Sequence, residues 1–310
     1  MRMPVLGISA AQNIKSFFQL KAFVVIAGAN SNIAARSIDG TTWTQTAMPA
    51  SVSASWQSVT YGGGKFVAVA GGNTATTTAA SSTDGITWTA RTLPASVNWE
   101  SVTYGGGKFV AVAGGNTATG VAATSTDGIT WTQRTLPVST YWRSVTYGAG
   151  VFVAVAAATS TAASSTDGIT WTQRVLPVVT NWRSVAYGGG VFAAVANGST
   201  TAASSTNGIT WTARTINLAP WVSVTYGGGV FAAVAYYSDI AATSTNGITW
   251  TQRTMPTNGP WESIGYGNGV FLAVISYPPA AATSTDGITW TAGTLPGTDY
   301  TAWRSVAYSG

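Results

Sequence analysis

Ser125-Thr126-Asp127-Gly128-Ile129-Thr130-Trp131 recurs, verbatim or nearly so, seven times along the chain, starting at Ser37, Ser82, Ser125, Ser165, Ser205, Ser244 and Ser284. Asp-Gly and Asn-Gly are the strongest short hairpin signals, because both residues tolerate the left-handed backbone that a tight turn requires. The flanking Ile, Thr and Trp favour strands. A second signature, Trp-x-Ser-[Val/Ile]-x-Tyr-[Gly/Ser], interleaves from Trp56, Trp99, Trp142, Trp182, Trp221, Trp261 and Trp303, and the two together use all 14 Trp.

The second signature returns every 39 to 43 residues, so the chain reads as one repeat array. A complete unit reads as strand A (residues 99–104), a Gly-rich turn, strand B (108–113), a variable loop, strand C (near 122–126), the Asp-Gly turn and strand D (129–135). Leu-Pro and a second variable loop follow. Four short antiparallel strands in about 40 residues is the blade pattern of a β-propeller. The array opens in mid-unit, since KAFVVIA from Lys21 matches strand B, and it closes with WRSVAYSG from Trp303, a strand A alone. Joined, the two ends make one more blade. The expected fold is therefore an all-β, seven-bladed propeller, four antiparallel strands per blade, its C-terminal strand A pairing with the N-terminal strands B to D. Residues 21–310 would form this single domain, and residues 1–20 an arm outside the repeats.

The Ser-x-Asp-Gly-x-Thr-Trp segment resembles the Asp-box, or BNR, repeat of sialidase-like propellers, with one residue fewer between Asp and Trp. The whole YGxGxFVAVA and STDGITWT unit resembles near-identical repeat proteins of tailed phages and bacteria. The resemblance covers residues 21–310 and implies a propeller in which the Asp-boxes are structural and lie opposite the face where that family carries its active site.

Composition agrees with buried strands and tight turns. Hydrophobic residues make up 45% of the chain and charged residues 7%, leaving few of the usual helix formers. There is no Cys and no His, so neither disulfides nor the commonest general base and metal ligand are present. The net charge of +5 comes without a Lys/Arg run, which argues against nucleic acid as a partner. Pro4, Gln12, Asn13 and Lys15 interrupt the apolar residues of the first 20, which read as neither signal peptide nor membrane span. These residues are an edge-covering arm, or dock the chain to other virion proteins. No membrane insertion and no cofactor are expected. The location reads as virion or extracellular, with a cytoplasmic setting left open.

Several motifs have bland readings. The turn acids Asp39, Asp84, Asp127, Asp167 and Asp286 give way to Asn207 and Asn246 in two copies, so hydrogen bonding rather than charge is what the turn needs, and no metal site is expected. The glycines from Tyr61 to Lys65 and from Tyr104 to Lys108 open no helix, so they are hairpin turns and not phosphate loops. Arg91, Arg134, Arg174, Arg214 and Arg253, on the outermost strand, guard exposed edges. The Trp side chains pack blades together, each contributing up to about 3 kcal/mol.

Two sets of residues stand out as candidate sites. The residue after the strand A Trp varies around the ring: Gln57, Glu100, Arg143, Arg183, Val222, Glu262, Arg304. Strand A lines the channel of a propeller, so Glu100, Arg143, Arg183, Glu262 and Arg304 are expected at its mouth; such a cluster resembles the arginines and acids of sialidases. The second set comes from length variation. Trp to strand B Phe is always 10 residues and Asp-box Ser to Trp always 6, whereas Phe to Ser runs from 13 to 16 and Trp to Trp from 10 to 13. All variation thus falls in the B–C and D–A loops, on one face, where binding loops on a rigid scaffold belong. There Tyr236, Tyr237, Asp239, Tyr277, Asp299 and Tyr300 combine aromatic rings with carboxylates, a pattern suited to sugars. The expected function is a non-catalytic propeller recognising a surface glycan or receptor, as part of a phage virion. A structural virion or scaffold protein and a sialidase-like glycosidase are the alternatives.

Overall fold

The computed structural model describes residues 20–49, 54–72 and 74–310, so the expected arm, apart from Leu20, lies outside the described residues. The described residues form strands joined by turns, arranged as a β-propeller. One unit contains strand A at Trp99–Gly105, strand B at Lys108–Ala113 and strand C at Thr119–Ser125. The fourth strand, Thr132–Gly148, differs from the expectation in both bounds. Residues 129–131 belong to the turn, because the Asp127 side chain takes the N–H groups of Ile129 and Thr130 out of the ladder. The strand then continues through Leu136-Pro137. Proline is tolerated on an outer strand, whose far side has no ladder partner.

Hydrogen bonding gives five four-stranded sheets and one of seven strands. The seven-stranded sheet exists because Thr132–Gly148 is shared: its residues 132–140 pair with Thr119–Ser125, and its residues 141–148 pair with Val151–Ala157. The ends of the array meet as expected. Trp303–Tyr308 pairs antiparallel with Phe23–Ala27, followed outward by Ile33–Ser37 and Thr44–Ala47. Ser309 fastens this junction, its hydroxyl accepting from Ala22 N–H at 2.7 Å and its N–H donating to Ala22 O at 2.9 Å.

The strand B segments carry apolar residues on both faces, as in Phe109-Val110-Ala111-Val112-Ala113, and are wholly buried between neighbouring sheets. Trp56, Trp99, Trp142, Trp182, Trp221, Trp261 and Trp303 are at most 1% exposed and anchor the apolar cores between sheets. Tyr147 shows why its signature ends in Tyr-Gly. It packs at a tilt against Phe152, ring centroids 4.6 Å apart, and lies so close over Gly105 of the preceding unit that a Cβ there would sit 2.0 Å from its ring.

A circle of side chains ties the innermost strands together. Ser58 Oγ accepts from Val102 N–H, Ser101 from Val145, Ser144 from Val185, and the series continues to Ser305, which accepts from Val59, at 3.1 to 3.3 Å throughout. The third residue of the Trp-x-Ser signature is therefore the hinge pin between one inner strand and the next.

Candidate functional site

Each inner strand begins with an irregularity. Trp99 pairs with Ala113 and Ser101 with Val112, leaving Glu100 as an extra residue, and the same shift isolates Gln57, Arg143, Arg183, Val222, Glu262 and Arg304. A bulge re-aims the side chain it isolates. Here it turns the variable position into the central channel, on the face that carries the B–C and D–A loops.

Charges in the mouth are paired around the ring. Glu100 Oε1 lies 3.2 Å from Arg143 Nη1 and 3.5 Å from Arg183 Nη1, and Glu262 Oε1 lies 2.6 Å from Arg304 Nη1. Arg143 Nη2 also donates to Asn116 Oδ1 at 3.0 Å. Burial pushes the Glu262 carboxyl above its ordinary range, against the pull of Arg304, and burial lowers Arg143 despite Glu100. Three cations face two anions, and Val222 leaves Arg183 with a neutral neighbour on one side. The mouth as a whole is thus net positive.

Two cavities open here. One, of about 410 Å³, is lined by Arg143, Arg183, Val222, Glu262, Arg304 and Tyr236; the other, of about 440 Å³, brings Asn30, Gln57, Thr74 and Asn116 against Glu100 and the arginines. The two candidate sets therefore converge at Tyr236, whose backbone N–H is fixed by Pro220 O at 2.9 Å. Tyr237 packs edge-on to Tyr236 at 4.4 Å, and its neighbourhood includes the exposed Tyr277, whose hydroxyl it pushes above the ordinary tyrosine range. Tyr237 has φ +46°, left-handed, where the corresponding turn of the preceding unit has Gly198 at +64°. A bulky residue at positive φ is costly and such strain gathers at functional sites. Asp239, Asp299 and Tyr300 are exposed and are not among the residues lining the channel cavities. Pattern reading missed Asn116 and the seven serines. The invariant Ser of the Trp-x-Ser signature was the available signal.

The opposite face is built for rigidity. Asp127 Oδ1 accepts from Ile129 N–H and Thr130 N–H, both at 2.8 Å, and from Ser125 Oγ at 2.9 Å; Gly128 has φ +67°. Asn207 makes the same two backbone bonds at 2.9 Å through its amide oxygen. The N–H groups of Thr170 and Ile169 hold the Asp167 carboxyl at about 2. Lys65 and Lys108, in the glycine-rich hairpins, donate to Asp127 O and Asp167 O of the next unit at 2.7 Å, so these lysines stitch turns together. On the outer strands Arg91, Arg134, Arg174, Arg214 and Arg253 each donate through Nε to a strand C Ser or Thr at 2.8 to 3.0 Å. They are half-buried and lie one repeat unit apart.

Comparison with solved structures places the architecture among β-propellers. A streptogramin B lyase superposes with a TM-score of 0.71 at 13% identity, over 81% of this chain and 86% of that one. A catalytically inactive virginiamycin B lyase from Staphylococcus aureus with quinupristin, in which a histidine is replaced by alanine, gives 0.69 at 13% over 88% of each chain. YCF48 bound to D1 peptide gives 0.59 at 15%, over 82% and 90%. These likenesses establish the fold, which hosts both enzymes and binding proteins. No protein-family profile and no curated protein matches the chain in sequence.

Proposed function

We propose that the chain is a non-catalytic, seven-bladed binding propeller that takes a surface glycan at the mouth of its channel. The observation that carries this is the 410 Å³ cavity, where Tyr236 meets Arg143, Arg183, Glu262 and Arg304 on the face that holds all the length variation. Aromatic rings suit the C–H faces of a sugar, and guanidinium and carboxylate groups suit its hydroxyls. Tyr237 and Tyr277 extend the platform outward. In support of seven blades, seven separate apolar cores lie between neighbouring sheets, and the serine circle closes after seven steps. The Ser-x-Asp-Gly turns serve this scaffold in the manner of Asp-boxes.

A non-catalytic role is favoured because Glu100 and Glu262 are both committed to arginines, and because the chain has no histidine, the residue whose loss accompanies inactivity in the virginiamycin B lyase variant. YCF48 with its bound D1 peptide is a propeller of similar build that engages a partner. Single-site affinity should be about millimolar, near 4 kcal/mol, in so shallow a site. Display of many copies, as on a phage particle, would raise it through avidity.

A glycan array probed with a multivalent form of the protein tests this. Tyr237→Ala and Tyr277→Ala should abolish retention, and Arg134→Ala on the outer strand should not. Retention that survives both tyrosine changes but is lost with Arg134→Ala would overturn the site and point to a polyanion on the rim. Retention of no glycan by the intact protein would leave the structural role.

A further inference from the structure

Beneath the charged mouth lies a third cavity of about 120 Å³ on the axis, lined by six serines of the circle and by the Glu/Arg ring. We propose that this cavity is a binding site for one small inorganic anion, a halide or small oxyanion, held by serine hydroxyls under a net-positive collar.

The hydroxyls come first. Each of the seven serines accepts a backbone N–H from the next inner strand, which uses one of its two acceptor lone pairs and leaves its O–H proton to donate. Among the described residues none of these hydroxyls donates to a protein acceptor. Six of the seven, all but Ser223, line the cavity, so six O–H groups without a protein acceptor stand round one axis, ready for an occupant that accepts. Such a circle of hydroxyls also suits water, since each keeps a lone pair, and a carboxylate-rich wall would favour a cation; the net charge of the collar is what selects an anion.

The collar points the same way. Arg143, Arg183 and Arg304 outnumber Glu100 and Glu262, and Gln57 and Val222 add no charge. The Nε atoms of Arg143 and Arg304 are buried without a hydrogen-bond partner, two further donors at the same level. Both carboxylates are turned to guanidinium groups through Oε1, which removes the nearest acceptors from competition. A volume several times that of one water accommodates a halide with partial hydration or a single oxyanion. The site is independent of Tyr237 and Tyr277, which line none of this cavity.

Bromide is the probe, because its anomalous scattering identifies it. Crystals grown in bromide should show an anomalous peak on the axis at the level of Ser58 and Ser184. In solution, bromide should raise the melting temperature relative to gluconate, too large for the cavity, at equal ionic strength. Two isosteric changes set the sign. Gln57→Glu makes the collar neutral and should weaken half-saturation by about tenfold or more, whereas Glu262→Gln adds net positive charge and should strengthen it by a similar factor. Tyr237→Ala should leave the bromide response unchanged, which separates this site from glycan binding. Absence of an axial peak overturns the proposal. So does a melting shift equal in bromide and gluconate, and a peak that persists unchanged in Gln57→Glu marks an adventitious ion only.

Discussion

Replacing Tyr237 by Gly and by Ala separates strain from contact. Both changes delete the edge-on contact with Tyr236, worth about 0.5 to 1.5 kcal/mol, and both delete the neighbour of Tyr277, so these losses cancel in the comparison. What differs is the backbone. At φ +46° an L-residue with a Cβ is disfavoured by about 1 to 2 kcal/mol, while glycine is not. Glycine gives back about 0.5 to 1 kcal/mol through the greater freedom of its unfolded chain. Tyr237→Gly should therefore be the more stable variant by about 0.5 to 1 kcal/mol, a melting temperature about 2 °C higher for a chain of this size. Gly198, in the same kind of turn at φ +64°, supplies the control: Gly198→Ala should fall by the same margin. Differential scanning calorimetry reads the stability, and the glycan array reads retention, which both Tyr237 variants should lose. A Tyr237→Ala protein as stable as Tyr237→Gly would refute the left-handed turn. Full retention in Tyr237→Gly would show that the strained ring serves no ligand.

Deleting residues 303–310 removes fully buried Trp303, the ladder to Phe23–Ala27 and the Ser309 fastening, and should lower the melting temperature and expose an edge that associates; a monomeric, equally stable truncation would refute closure by the C-terminal strand. Asp127→Asn should cost little, because Asn207 already makes the same bonds, whereas Gly128→Val should cost several kcal/mol by order of magnitude, since a Cβ there would meet Val67 at 2.7 Å with φ at +67°; calorimetry ranks the two. In acid, Asp167 is held below its ordinary 3.8 in the fold, so its contribution is present above that value and lost as pH falls through about 2; a scan of melting temperature against pH should fall less steeply over that window in Asp167→Asn than in the parent.

Much of the fold was legible because the chain compares itself. Strand B at Lys108–Ala113 appears in the structure with the bounds read from the sequence, since its apolar run is cut by Gly on one side and a variable loop on the other. The outer strand was misjudged, because strand propensity at Ile129 and Thr130 lost to side-chain capture of their N–H groups by Asp127, and because Pro137 ends a strand only where its missing N–H is needed. The position after each Trp was visible as the one that changes chemistry around the ring. Its direction came from a bulge, and alternation along a strand contains no signal for that. Tyr236 and Tyr237 were visible as loop aromatics, but the place of Tyr236 in the cavity with Arg183 and the strain at Tyr237 depend on a two-residue turn that has Gly198 in the preceding unit. The serine circle was written in every copy of Trp-x-Ser and passed unremarked, because a small polar residue in a strand has no meaning until its neighbour's backbone arrives.

The join between the chain's ends falls inside a sheet and not between two. One end supplies the inner strand, the other the three outside it, so the fastening of Ser309 to Ala22 is indifferent to how many units lie between. Recombination between the near-identical copies, which adds or removes a unit of about 40 residues, would leave both halves of that junction untouched. Ring size is then a property of the wedge between neighbouring sheets alone. A lineage carrying this gene could change the circumference of its loop-bearing face in a single genetic step and still inherit termini that match.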